Sequence, residues 1–234
     1  MTTQEMKEAI LRKERYDFED LRRIMEILRS KEGCVWDREQ DHHSIRSSLI
    51  EEAYEVIEAI DTDDPVLLRE ELGDLLFQIV FHTCLEEEQG SFTMDDVIHD
   101  ISFKMIHRHP HVFSTVKVEN SEEVLSNWEA IKTEEKQRNT LVDRLRAVPP
   151  MLPALMRAAK ISKKAELYQN RERDEILSEL HKQIDAISET DKPSQEEIGA
   201  LLMGVIHLCG KAGVDAEEAL SRETDRVIDK IAEN

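Results

Sequence analysis

The sequence predicts an all-α protein made of tandem helical-bundle modules, and three observations carry that expectation. Glycine (7) and proline (6) are scarce in 234 residues, aromatic residues are 5% and charged residues 35%, a composition suited to amphipathic helices and not to the many turns of a sandwich or barrel. Apolar residues recur at a spacing near 3.6 along most of the chain. A repeat is also visible: EELGDLLFQIVF (Glu70 to Phe81) aligns without a gap with EEIGALLMGVIH (Glu196 to His207), with five identities. Offset by one residue from that register, LIEEAYEVIEAI (Leu49 to Ile60) pairs with ILSELHKQIDAI (Ile176 to Ile187), most apolar positions staying in register. Two helix pairs at such a spacing point to two copies of one module.

Taken in order, the pattern predicts helices at 5–31, 44–61, 65–89, 94–108, 121–138, 153–169, 172–188, 195–212 and 215–232. Several starts have a mechanism. Asp64 can cap a helix that begins with Pro65, Thr93 can cap the next, and Ser194 with Glu197 forms a capping box. In Ala147-Val148-Pro149-Pro150-Met151-Leu152-Pro153, three prolines remove donors and restrict the residues before them, so no helix continues through. The expected division is therefore 1–148 and 149–234.

The formal net charge of −20 disfavours nucleic acid or an anionic membrane as partner. An anionic substrate would need local cations or a borrowed metal ion. Cys34, Cys84 and Cys209 form no CxxC pair, which suggests neither a zinc site nor a disulfide framework and fits a reducing compartment. With no apolar signal-peptide core near the N-terminus and no uncharged run of bilayer length, a cytoplasmic protein is expected.

Glutamates three apart on a charged helix usually face water, so Glu52 and Glu55 are weak signals alone. The next helix differs. Leu67, Leu68, Leu72, Leu75, Leu76, Phe77, Ile79, Val80 and Phe81 leave it no wide polar arc, so it is expected to be buried, and Asp74 and Glu71 with it. A buried carboxylate costs several kcal/mol unless paired or bound to a cation. The short connection at Asp63, Asp64 and Pro65 would set the two helices antiparallel and bring Glu52, Glu55, Glu71 and Asp74 together. No basic residue stands at i+3 or i+4 to compensate them, and hard oxygen ligands select Mg²⁺ or Mn²⁺ over zinc. A di-iron bundle would want Glu-x-x-His pairs, which are missing here.

At these residues the sequence resembles the MazG nucleoside triphosphate pyrophosphohydrolases of the all-α NTP pyrophosphatase superfamily. The resemblance runs from about residue 18 and rests on Gly33 to Gln40 (GCVWDREQ), Glu51 to Glu55 (EEAYE), Glu70 to Phe77 (EELGDLLF), Arg108 to Phe113 (RHPHVF) and Trp128 to Glu135 (WEAIKTEE). It implies hydrolysis of a nucleoside triphosphate to the monophosphate and pyrophosphate, a housekeeping role in the nucleotide pool, and assembly as a homodimer. It also implies Mg²⁺ held by Glu52, Glu55, Glu71 and Asp74, with Glu51 beside the metal or acting as base for the attacking water. By the same resemblance Lys104 and Arg108 lie beside the phosphates. Trp128 and Lys132, one turn apart, offer a stacking face and a cation, or a core tryptophan with a surface lysine. Trp36 is expected to pack and Asp37 to shape a base pocket or close the bundle, while His42 and His43 have no assigned role.

The second copy departs from the pattern. Opposite Glu52 and Glu55 stand Glu179 and Lys182, and opposite Glu71 and Asp74 stand Glu197 and Ala200. Two ligands are lost and a positive charge is gained, so residues 149–234 are expected to pack, dimerise or regulate. The alternatives are a catalytically silent nucleotide-binding or regulatory protein, and a narrower dUTP, dCTP or phosphoribosyl-ATP pyrophosphohydrolase.

Overall fold

A computed structural model describes residues 2–116, 118, 120–135 and 140–233. These are helical, with no strand among them, in agreement with the composition and periodicity. Two compact units divide the chain, Met1–Glu119 and Asn120–Asn234. The division precedes the proline-rich stretch, which lies inside the second unit because α9 (Leu141–Arg146) packs against α10 (Ala154–Lys164). The expected helix at 121–138 is α8 (Ser121–Glu135), and residues 136–138 lie outside the described residues.

In the first unit the expected helix at 5–31 is two helices, α1 (Thr3–Leu11) and α2 (Phe18–Arg29). Cap chemistry overrides the continuous periodicity there. Asp17 and Asp20 each accept the other's backbone N–H at 3.0 Å, forming a reciprocal box at the start of α2. Lys13 Nζ meets both oxygens of Asp20 at 2.6 Å, and Asp20 is only 1% exposed. The short helix α3 (Val35–Glu39) follows, then α4 (Arg46–Asp61), α5 (Pro65–Gln89), α6 (Met94–Arg108) and α7 (Pro110–Phe113).

The core of this unit sits around the C-terminal half of α5. Val80, Phe81, Cys84 and Leu85 pack with Met25 of α2, Ile45 and Met94 of α6, flanked by Leu21, Phe77 and Val97. Arg29 ties the GCVWDREQ segment to this core. Its guanidinium makes a two-point contact with Glu88, at 2.6 and 2.8 Å, donates to the carbonyls of Asp37 and Gln40, and lies over the Phe81 ring. The expectation that α5 is buried throughout is met only by this half. Leu72, Leu76 and Ile79 are exposed, since α2 and α6 cover the far end of α5 and its first turns have α4 as neighbour.

The second unit repeats the hairpin. Helices α11 (Arg173–Ser188) and α12 (Gln195–Ala212) pair as α4 and α5 do, with α10 and α13 (Ala216–Ala232) packed on α12. Both long helices end on a left-handed glycine, Gly90 at φ 72° and Gly213 at φ 70°, a conformation that a Cβ disfavours. No single helix among the described residues is long and apolar enough to cross a membrane.

Candidate metal centre

The α4–α5 turn sets the geometry. Thr62 N–H donates to Glu58 O at 2.9 Å, Asp64 N–H to Ala59 O at 3.1 Å, and Asp63 takes the left-handed conformation at φ 52°. Asp64 then caps α5, accepting from the N–H groups of Val66 and Leu67 at 2.9 and 3.1 Å, with Pro65 at the first helical position where no donor is needed. The two helices run back to back from this turn.

On the facing sides, one carboxylate oxygen each from Glu52, Glu55 and Glu71 lie within 4.8 Å of one another. Asp74 falls outside that group and is exposed, but its charge is felt within it. Partial burial, a hydrogen bond with Glu55 and the charges of Asp74, Glu55 and Glu71 push the Glu52 carboxyl up from its ordinary value. Burial followed by the charges of Glu55, Asp74 and Glu70 does the same for Glu71. No arginine, lysine or histidine among the described residues makes an ion pair with any of the four. Uncompensated carboxylates crowded to this degree form an all-oxygen donor set that fits a hard divalent cation such as Mg²⁺ or Mn²⁺.

The other sequence-derived residues are spread more widely. Glu51 is exposed on α4. Lys104 is exposed on α6, whereas Arg108 at its end is 7% exposed. Trp128 and Lys132 stand on α8 in the second unit, with Lys132 Nζ 4.3 Å from the Trp128 ring centroid, a cation–π pair. Trp36 does not pack as expected. It is 60% exposed, because the one-turn α3 buries Asp37 and turns Trp36 outward.

Sequence reasoning missed the role of His42. Its Nε2 lies 2.7 Å from Glu86 Oε1 and its Nδ1 lies 2.8 Å from Nδ1 of His82. If Glu86 accepts from His42 Nε2–H, then His42 Nδ1 accepts from His82 Nδ1–H. Burial, and then the neighbouring His42, hold His82 below the usual imidazole value. Hydrogen bonds from Ser91 and His42 hold Glu86 below the usual carboxylate value. With Leu49, Ile79 and Phe92 these three residues line a cavity of about 340 Å³. His82 follows Asp74 by eight positions on α5, an axial rise of roughly 12 Å. The signal was available, since Gln78, His82 and Glu86 are four apart on one face of α5. Gln78 Oε1 and His82 Nε2 on that face are buried with no hydrogen-bond partner among the described residues.

In the second unit Glu197 is committed elsewhere. Its carboxylate accepts from the N–H and Oγ–H of Ser194 at 2.7 and 2.9 Å, and these bonds hold it below the usual carboxylate value. Because α12 begins at Gln195, Glu197 is its third residue, whereas Glu71 is the seventh of α5.

The chain matches the family model of the MazG nucleotide pyrophosphohydrolase domain over residues 40–113, which include α4, α5 and α6. A Thermotoga maritima protein named nucleoside triphosphate pyrophosphohydrolase/pyrophosphatase MazG is 38% identical over 218 residues, covering 92% of this chain and 84% of the relative. An Escherichia coli nucleoside triphosphate pyrophosphohydrolase is 39% identical over 213 residues, 87% of this chain and 81% of that one. The uncharacterized Bacillus subtilis protein YabN is 48% identical over 150 residues, 63% of this chain and 30% of its own length.

Proposed function

Because this chain belongs to the MazG nucleotide pyrophosphohydrolase family, we propose that it hydrolyses nucleoside triphosphates to the monophosphate and pyrophosphate at the α4–α5 hairpin. The observation that carries the reading is the convergence of Glu52, Glu55 and Glu71 within 4.8 Å, with no basic partner, inside the matched segment.

In this account Glu52, Glu55, Glu71 and Asp74 hold Mg²⁺ or Mn²⁺. Such an ion, when bound, neutralises phosphate charge and acidifies a coordinated water. The chain's own residues do the remaining work. Lys104 and Arg108 hold phosphate oxygens that the net charge of −20 would otherwise repel. Glu51, exposed beside Glu52, takes the proton of the attacking water as the α–β anhydride bond breaks. The cavity beside His42 and Phe92 takes the nucleoside.

We assign no catalysis to residues 149–234, where Glu197 serves as a cap and Lys182 and Ala200 replace two carboxylates. The working form is a homodimer in this reading. Support comes from the apolar surface left open on α4, α5 and α6, where Ile50, Tyr54, Ile57, Leu72, Ile98 and Ile101 are exposed. A reducing, cytoplasmic setting fits the three free cysteines. Incubation with each common triphosphate and Mg²⁺, read by ³¹P NMR, tests the reaction. The monophosphate and pyrophosphate should appear in equal amounts. Release of orthophosphate with a diphosphate, or binding without any turnover, would discard it.

A further inference from the structure

The second unit carries a cavity of its own at the place where the first has its carboxylates. It measures about 230 Å³ and opens between α11 and α12. Ala200 and Gly204 line it at the positions that Asp74 and Gln78 occupy on α5, so the exchange of two polar side chains for a methyl and a hydrogen makes the room. Gly204 also sets the approach of the helices: a Cβ there would come within 2.7 Å of Leu180 Cδ2 and 3.1 Å of Gln183 Oε1.

Two charged groups and one buried polar atom of this cavity are open to a ligand, Glu179 from an exposed position. Arg171 and Glu179 both line it, yet neither makes an ion pair with the other or with any other described residue. Gln183 also lines it, and its Oε1 is buried with no hydrogen-bond donor among the described residues, a state that native proteins seldom leave uncompensated. The rest of the wall is apolar, led by Ile176 and Met203.

We propose that this cavity binds a small zwitterion, an α-amino acid with an aliphatic side chain. The ligand carboxylate pairs with the Arg171 guanidinium, whose planar fork suits it. The ammonium group pairs with Glu179 and donates to Gln183 Oε1, and the side chain lies against Ile176, Ala200 and Met203. Size and charge select this class. Pockets for drug-sized molecules start near about 300 Å³, and a cavity of roughly 150 Å³ already holds benzene, so 230 Å³ suits an amino acid and not a nucleotide. A phosphate would face Glu179 with a single cation to hold it, since His207 is engaged with Ser162 Oγ at 3.2 Å. A metal ion would find Glu197 engaged as a cap and Lys182 nearby in sequence. The site is independent of the reaction proposed above and stands if that reaction fails.

Calorimetric titration of the full chain with L-valine, L-leucine and L-methionine tests it. Controls are 4-methylpentanoate, isoamylamine, adenosine monophosphate and orthophosphate. At least one amino acid should bind saturably, tenfold or more weaker to Arg171→Gln and to Glu179→Gln, and not detectably to Ala200→Leu. Melting curves followed by circular dichroism verify that each variant folds, and Arg171→Met and Glu179→Ala replace any that does not. No binding of the three amino acids to the unaltered protein overturns the proposal. So does binding that neither charge change weakens, or preference for any of the four controls.

Discussion

Replacing Glu52 by Gln should stabilise the metal-free protein and at the same time abolish its response to Mg²⁺. Glu52 keeps its shape in that change but loses a charge that burial, Glu55, Asp74 and Glu71 all oppose. The ligand oxygens of Glu52, Glu55 and Glu71 lie within 4.8 Å of one another, a range that takes in the roughly 3 Å between adjacent ligands of a Mg²⁺ octahedron. A cation should therefore find the site nearly assembled. At a hundred times its dissociation constant a ligand stabilises by about 2.7 kcal/mol. For a protein of this size that is a rise in Tm of roughly 5–10 °C. Differential scanning calorimetry with and without Mg²⁺ reads both effects. The unaltered protein should show the rise, whereas Glu52→Gln should melt higher without metal and move by less than about 1 °C with it. A lower metal-free Tm in the variant, together with an intact Mg²⁺ shift, would refute the reasoning.

Metal affinity should rise with pH across and above the ordinary carboxylate range. Glu52 and Glu71 are raised, so they favour the folded metal-free state when protonated and lose that contribution as pH climbs through their folded values. A cation must displace those protons, and titration in buffers of different ionisation enthalpy should detect their release. Asp20 acts with the opposite sign. Held low first by its bond from Lys13, it adds stability that is present above its unfolded value and lost as pH falls through its folded one. Asp20→Asn should therefore flatten the acid side of the stability profile. Phe81→Ala should cost about 3–5 kcal/mol in urea unfolding, because Phe81 is fully buried at the centre of the first core. Ala200→Asp should create no second Mg²⁺ site in equilibrium binding, since Glu197 stays committed to Ser194.

The fold class, the α4–α5 hairpin and the partnership of Glu52, Glu55 and Glu71 were legible because they depend on local rules: helical period, a proline after a capping aspartate, and a short turn. The break at Asp17 was not, because a run of charged residues continues the helical pattern while the decisive hydrogen bonds belong to two side chains. Asp74 was expected inside a buried helix and is exposed, since the apolar content of α5 exceeds what α4 covers over its first turns. Trp36 failed for a related reason, as a single turn of helix has too little periodicity to reveal its outward face. His42 could be understood only through His82 and Glu86, some forty residues away in sequence.

The most direct measurement is the rate of pyrophosphate release, with saturating triphosphate and Mg²⁺, from the unaltered protein and from Asp74→Ala. Asp74 lies just outside the tight group, yet its charge acts on two of that group's members. The account predicts a fall of at least about a hundredfold, as expected for loss of a metal ligand, with an unchanged circular dichroism spectrum. A folded Asp74→Ala protein that releases pyrophosphate at the unaltered rate would contradict it.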